Sequence, residues 1–328
     1  MTGRYARQIA LAQVGTDGQA RLAAASVLVI GAGGLGCPVL QYLAAAGVGR
    51  LIIVDHDVVE ESNLHRQPLY TMDDVGSPKV AAARAALLRL NPTITVETLA
   101  ARATPDNAAR LVADADIVVD AADSLATTYV VNDACQALAR PLVSASAVGL
   151  SGYVGAFCAG APSYRAVFPD MPARAATCSS AGVLGSLVGV IGSLQAQLVL
   201  QLILAISPSP LGWLVTFDAA RLSFGGFAFH DAGEPDSPLL RYISAREVTA
   251  DDLVVDLRSL DEAPVSPFDD ALRLEVDTIG TLIDDHPPSA SRIVLCCHSG
   301  LRAWRAGRHL RDLGFTQLAL VALADGTP

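Results

Sequence analysis

The segment Ser26-Val-Leu-Val-Ile30 runs into Gly31-Ala-Gly33-Gly34-Leu-Gly36, and Leu51-Ile-Ile-Val-Asp55 follows after a helix-like stretch. Glycines so spaced let a backbone come close to phosphate, and the helix that follows offers free N–H groups and the positive end of its dipole. Asp55 lies about 20 residues past the last glycine, where an acid accepts hydrogen bonds from ribose hydroxyls. That much would suit NAD. The next residues point elsewhere: Asn63-Leu-His-Arg66-Gln67 follows closely, and Lys79 comes soon after in Gly76-Ser-Pro-Lys79. Hydride transfer has no use for so many cationic and amide donors. A nucleoside triphosphate does, because charge builds on its phosphoryl oxygens during in-line displacement.

Two other places could carry chemistry. Asp123 follows Asp120 by three residues at the end of an apolar run. It is open to two readings, a helix N-cap or a magnesium-binding acid at the phosphates. Far along the chain, Cys297-His298-Ser299-Gly300-Leu301-Arg302 reads as a six-residue loop between a strand ending at Cys296 and a helix. Backbone N–H groups converging on the Cys297 sulfur, with the dipole of that helix, would lower the thiol pKa and stabilise a persulfide anion; the other reading is two buried thiols at a strand end. Arg302 would pair with the strand-end acid Asp256 or help fix the loop.

These residues need a scaffold of alternating strands and helices. Helices are expected at Lys79–Leu90, stopped by Asn91-Pro92, and at Pro105–Ala113, with strands at Thr93–Leu99 and Ile117–Asp120. Pro141 onward and Gly152–Cys158 read as later strands, Pro162–Ala176 as an irregular crossover loop, and Trp213–Asp218 with Arg221–Phe229 as a closing antiparallel pair. The fold class expected is α/β: a Rossmann-like, mostly parallel sheet with helices on both faces, plus a small α/β unit. His230–Pro238, polar with glycine and two prolines, divides residues 1–229 from 239–328. In the small unit, Leu253–Arg258 and Arg292–Cys296 read as strands, and the neighbourhood of Ile279–Asp285 as a helix.

The formal charge of −10 disfavours nucleic acid and anionic membrane as partners and favours a small protein with a basic face. The chain carries six cysteines without framework spacing and no signal peptide, so free thiols in a cytoplasmic, reducing setting are expected. Ala181–Ile206 is uncharged and long enough to span a bilayer. Its glycines, serines and glutamines, without a flanking basic cluster, favour a helix in the core or at a subunit interface.

With Arg4-Tyr-Ala-Arg7-Gln upstream, residues 1–229 resemble the ThiF/MoeB/HesA family, bacterial relatives of ubiquitin-activating enzymes. The resemblance implies adenylation of the C-terminal glycine of a ubiquitin-like sulfur carrier protein ending in Gly-Gly, with ATP and Mg2+. It sets Asp55 on the ribose, Asn63 and Arg66 on the triphosphate, Lys79 near the reacting phosphate, and Asp123 on magnesium, while Gln67 completes the motif. Arg7 would reach into the site of a partner subunit, so a homodimer is implied, with Gly189–Ala196 near its interface. The family usually has Asp-Asn where this chain has Asp123-Ser124. Relatives commonly hold zinc with two Cys-x-x-Cys pairs. Ser163-Tyr-Arg-Ala166 stands at the first, and no pair follows the last strand of the large unit, so no structural zinc is expected. Cys178, after the crossover loop, matches a cysteine that in some relatives forms a thioester or a disulfide to the carrier; it could equally be a buried packing residue.

Cys297–Arg302 resembles the rhodanese loop Cys-x-Ser-Gly-x-Arg, and the order of elements around it resembles a rhodanese domain with a shortened ending, Ala324–Pro328. Together the resemblances imply an adenylyltransferase–sulfurtransferase of molybdopterin, thiamine or related sulfur metabolism, supplied by a cysteine desulfurase or thiosulfate. Two other classes stay open: an NAD-dependent oxidoreductase, which leaves Arg7, Asn63, Arg66, Lys79 and Cys297 without roles, and a non-catalytic carrier-binding scaffold.

Overall fold

A computed structural model of the chain describes residues 3–172, 182–236, 239–282, 286 and 291–323. An eight-stranded sheet has the order β3-β2-β1-β4-β5-β6-β7-β8. Its strands are β1 (Ser26–Ile30), β2 (Arg50–Val54), β3 (Thr95–Leu99), β4 (Ile117–Asp120), β5 (Leu142–Val148), β6 (Ser151–Phe157), β7 (Trp213–Asp218) and β8 (Ser223–Ala228). The first five run parallel and the rest antiparallel. Chain order reverses between β1 and β4, so a crevice opens beyond their carboxyl ends.

β1, β2 and β4 read as unbroken apolar runs because helices cover both faces: Val27, Leu28, Val29, Leu51, Ile53, Val118 and Val119 are all buried. One face packs under α2 (Gly15–Ala24), α3 (Gly36–Ala46), α4 (Lys79–Leu90) and α8 (Gly185–Leu204), the other under α5 (Pro105–Ala113) and α6 (Leu125–Ala137). The opening segment forms the short α1 (Ala6–Ile9), a turn and then α2. The expected crossover loop also contains a turn of helix, α7 (Tyr164–Val167), and its residues 173–176 lie outside the described residues.

The apolar stretch at 181–206 forms α8, the one helix among the described residues long and apolar enough to cross a membrane. It lies on the sheet through Leu187, Val188, Ile191 and Val199. The buried Gln195 donates its Nε2 protons to the carbonyls of Asp120 (2.7 Å) and Val143 (3.0 Å). Val190, Leu194 and Leu198 are only half-buried.

Beyond β8 a five-stranded, all-parallel sheet has the order β11-β10-β12-β13-β9. It comprises β9 (Arg241–Tyr242), β10 (Leu253–Asp256), β11 (Leu272–Arg273), β12 (Ile293–Cys297) and β13 (Leu318–Ala322), with α9 (Leu301–Asp312) after β12. The helix expected around Ile279–Asp285 is instead a 3-10 turn over Val276–Thr281, and residues 283–285 lie outside the described residues. One apolar cluster runs without interruption from Leu28 and Val118 of the large sheet through Tyr129 to Trp304 and Leu310 of the small unit.

Candidate functional site

A cavity of about 720 Å³ occupies the crevice at the carboxyl ends of β1, β2, β4 and β5. Gly31 has φ +97, a region that favours glycine, and a Cβ there would sit 2.5 Å from the Ala121 carbonyl oxygen. A Cβ on Gly36 would sit 2.0 Å from the Gly31 carbonyl oxygen, so this glycine lets α3 start tight against the turn. Gly31, Gly33 and Gly34 line the cavity, whereas Gly36 acts behind them.

Asp55 is buried at the end of β2 and lines the cavity. Its carboxylate accepts the N–H of Ala32 (2.7 Å) and of Asp57 (2.8 Å), so it also holds the glycine turn in place. Lys79, at the start of α4 and nearly buried, is 2.7 Å from Asp57. Burial alone would raise the Asp57 pKa, but the Lys79 ammonium and its hydrogen bond bring it below the ordinary carboxylate range. Arg66 donates to Asn63 Oδ1 (2.6 Å), which aligns both side chains along the cavity, and Arg102 joins them. Gln67 is buried on the same wall, and its Oε1 has no hydrogen-bond partner among the described residues.

At the rim, Ser124 is the N-cap of α6, its Oγ accepting from the Thr127 N–H, so Asp123 is not the cap. Among the described residues, the exposed Asp123 carboxylate has no hydrogen-bonded or ion-paired protein partner. Asp55, His56 and Asp57 also bring possible ligand atoms within 4.8 Å of one another. Asp55 is engaged by two backbone N–H groups and Asp57 by Lys79, whereas the unengaged Asp123 offers oxygens of the kind a hard cation takes. Cationic and amide donors around a glycine turn, with one unengaged carboxylate at the rim, suit a magnesium-neutralised polyphosphate.

Asp120 lies beneath this rim, and its sequence position marks a strand end without assigning it a role. It is fully buried and its Oδ2 accepts from Ser144 Oγ at 2.8 Å. Burial pushes its pKa up to about 6, opposed by hydrogen bonds from Ser144, Thr128 and the Ala122 N–H, and supported by the Asp123 charge. Its position at the end of a buried strand was the available signal.

Arg7 does not reach this cavity. It is exposed on α1. The neighbouring Tyr5 contacts Gly47 and Asn91, at the amino-terminal edge of the sheet, while the cavity lies at the opposite edge. Cys178 lies outside the described residues.

The small unit presents a second arrangement. Cys297 is the last residue of β12 rather than the first of a loop, so the loop proper is His298–Gly300, and Leu301 and Arg302 already belong to α9. The Cys297 sulfur accepts the Ala303 N–H at 3.3 Å, and the amides of Gly300 and Arg302 also point to it. Cys296 faces the opposite side of the sheet among Val254, Val294 and Val321. The expected lowering of the Cys297 pKa is overturned: burial raises it, and the three amides and the Arg302 charge offset only part of that rise. Arg302 does not pair with Asp256. It donates to the Leu257 carbonyl at 3.0 Å and pairs with Glu262, while Asp256 is engaged by Arg258 and Arg273.

Cys37, Cys135 and Cys158 are free and buried, and burial raises all three thiol pKa values, as expected of packing residues. Ser163 caps α7, and its N–H and Oγ–H both donate to Glu234 beyond β8, at 2.7 and 2.6 Å.

Comparison with known proteins agrees with this geometry. A 48% identical relative over 229 residues is the sulfur carrier protein adenylyltransferase of Thermus thermophilus, with 67% of this chain and 84% of that protein covered. The SAMP-activating enzyme E1 of Haloferax volcanii is 41% identical over 72% of this chain and 87% of its own. The adenylyltransferase and sulfurtransferase MOCS3 of Sus scrofa is 50% identical over 66% of this chain, which spans about half the length of such relatives. Among solved structures, Escherichia coli MccB with MccA superposes with a TM-score of 0.62 over 70% of this chain and 71% of that one, at 24% identity, a likeness of fold. The model of the ThiF family matches residues 5–238, which include the glycine turn, Asp55, Lys79 and Asp123, and the chain belongs to that family.

Proposed function

We propose that the protein adenylates the C-terminal glycine of a ubiquitin-like sulfur carrier protein and then transfers sulfur to it through a Cys297 persulfide. The observation that carries the first half is the cavity at the β1–β4 crevice, where Arg66 and Lys79 face the glycine turn and Asp123 stands unengaged. The names of the relatives from Thermus thermophilus and Haloferax volcanii support the same half.

In this reading the glycine turn and the N-terminus of α3 receive ATP phosphates, Asp55 the ribose, and Asn63, Arg66 and Lys79 the triphosphate oxygens. Asp123 would hold magnesium, which when bound offsets phosphate charge. A carboxylate oxygen of the carrier attacks the α-phosphorus, and pyrophosphate leaves with the electron pair of the broken P–O bond. The chain contributes chiefly position and charge. Arg7, at the far edge of its own sheet, would complete the cavity of a second subunit. The half-buried apolar side chains Val190, Leu194 and Leu198 of α8 offer that homodimer a surface. The exposed edge strand β8, with Phe224 and Phe227 turned to solvent, suits a protein partner.

The terminal persulfide sulfur on Cys297 then attacks the acyl carbon, and AMP departs. A second thiol, which we assign to Cys178, attacks the Cys297 sulfur of the resulting link and releases the thiocarboxylate. Two external thiols reduce the remaining Cys178–Cys297 disulfide and leave as a disulfide of their own. Support for a sulfurtransferase unit comes from the all-parallel five-stranded sheet that carries Cys297 at a strand end and from the three amides around its sulfur. The persulfide would be loaded from thiosulfate or a cysteine desulfurase in the cytoplasm, and the product would serve molybdopterin, thiamine or related synthesis.

Thiosulfate treatment followed by mass spectrometry tests the second half. The added sulfur should sit on Cys297; Cys297→Ala should abolish thiocarboxylate and leave pyrophosphate exchange intact, and Cys296→Ala should be milder. Sulfur on Cys296, or on neither residue, contradicts the assignment. For the cavity, quenching of NADH fluorescence without pyrophosphate exchange would restore the oxidoreductase reading, and loss of both would leave a scaffold.

A further inference from the structure

The cavity and the Cys297 cradle share a wall. α6 starts at the cavity rim, α9 starts at the cradle, and the two meet where the rings of Tyr129 and Trp304 lie 5.1 Å apart. Tyr129 itself lines the cavity. On the cradle side, the Tyr242 hydroxyl of β9 donates to the Gly300 carbonyl at 3.0 Å and lies 3.6 Å from Met171 Sδ. Met171 stands between Asp170 and Pro172, both cavity residues.

What holds this wall together is a buried cation. Arg165 of α7 is only 3% exposed. Its guanidinium sits 4.6 Å from the Tyr129 ring centroid and 5.7 Å from that of Trp304, and it grips Asp133 of α6 through two bonds of 2.6 and 2.9 Å. A desolvated arginine with a paired carboxylate and two aromatic faces is the composition of an interface anchor, and removing one partner leaves an uncompensated buried charge. Around it, Arg308 and Arg311 of α9 reach Asp170 at 3.1 and 3.8 Å, half-exposed pairs suited to guiding the approach of two surfaces.

We infer that this contact is a docking station that commits Cys297 to the cavity of its own chain, with Arg165 as its positioning residue. The inference rests on the reading above, that the cavity adenylates and Cys297 carries sulfur. A thiol docked in cis meets the activated carboxyl at a high effective concentration, which a freely tethered unit would not reach.

Subunit mixing tests this directly. Cys297→Ala and Asp123→Ala proteins are allowed to exchange subunits and given carrier, ATP and thiosulfate. In a hybrid, the chain that adenylates lacks its own Cys297, and the chain with Cys297 cannot adenylate. Docking in cis predicts pyrophosphate exchange without thiocarboxylate; thiocarboxylate well above that of each variant alone overturns it. The double variant Arg308→Glu, Arg311→Glu supplies the second arm, and needs no change in the buried anchor. Exchange and persulfide loading should stay within about twofold of wild type, while the rate of thiocarboxylate formation falls about tenfold or more. An unchanged rate in that variant would also overturn the docking station. Arg165→Lys, which keeps the charge but not the planar fork, should fall between the two. Failure of the underlying reading looks different, because then wild type itself lacks exchange or takes up no sulfur on Cys297.

Discussion

Lys79 and Asp57 form a pair 2.7 Å apart on the cavity wall, with the lysine nearly buried and the carboxylate half-exposed. The lysine reaches its place because α4 begins at residue 79, and the acid because it lies just beyond β2. An ammonium held this way costs little reorganisation when phosphate charge develops beside it. Lys79→Ala should therefore lower carrier-dependent pyrophosphate exchange by about 100-fold. Lys79→Arg should recover only part of the loss, since the guanidinium does not fit a site shaped for a point charge. Exchange near the wild-type rate in Lys79→Ala would remove the lysine from the phosphate site.

Glu234 ties the segment after β8 to the N-cap of α7 through both the N–H and the Oγ–H of Ser163. The family resemblance implies paired cysteines at these places. Glu234→Ala leaves the Ser163 donors without their carboxylate and should cost about 1–3 kcal/mol in urea unfolding. A stoichiometric zinc in elemental analysis, or unfolding by a chelator, would contradict this account of the clip.

Asp120 gives a pH signature. Its pKa in the folded chain is about 6, above the ordinary 3.8. The unfolded chain therefore loses this proton first as pH rises, and folded stability falls between about pH 4 and 6 as a consequence. The contribution is present below the unfolded pKa and is lost through the folded one; its size is on the order of 3 kcal/mol at most. Asp120→Asn should flatten the stability curve across that interval. A curve of unchanged slope there would place the proton elsewhere.

Assembly can be tested by complementation. If Arg7 completes a partner's cavity, mixing Arg7→Ala with Asp123→Ala subunits rebuilds one intact site per hybrid dimer and restores part of the exchange activity. No recovery, with subunit exchange demonstrated by labelled chains, would contradict a contribution in trans.

The nucleotide side of the molecule was legible because its signals are local. β1 and β2 are apolar on both faces, α4 stops at Asn91-Pro92, and α5 opens on Thr104 and Pro105, so their bounds can be read within a few residues. α6 was harder: Thr127, Thr128, Val130 and Val131 are β-branched and weak in helices, and burial of Tyr129 and Val131 overrides that preference. β9 and β11, two residues each, have no period to read, and they exist only as additions to the edges of a formed sheet. The Cys297 cradle was visible as a spacing, but its depth was not. The thiol pKa rises because the β-sheet and α9 close over the sulfur, and burial depends on the whole unit. Arg165 could not be placed from sequence at all, since it meets Asp133 only once α6 and α7 have packed, and Trp304 only once the two units have.

In the function proposed above, this cavity activates a carrier carboxylate on ATP with Asp123 at the metal. The most direct measurement is exchange of labelled pyrophosphate into ATP, in the presence of the carrier and magnesium, by wild type and by Asp123→Ala. Wild type should show carrier-dependent exchange and the variant a loss of at least about 100-fold, with the fold intact by circular dichroism. Near-normal exchange in Asp123→Ala, or exchange in wild type that ignores the carrier, would contradict it.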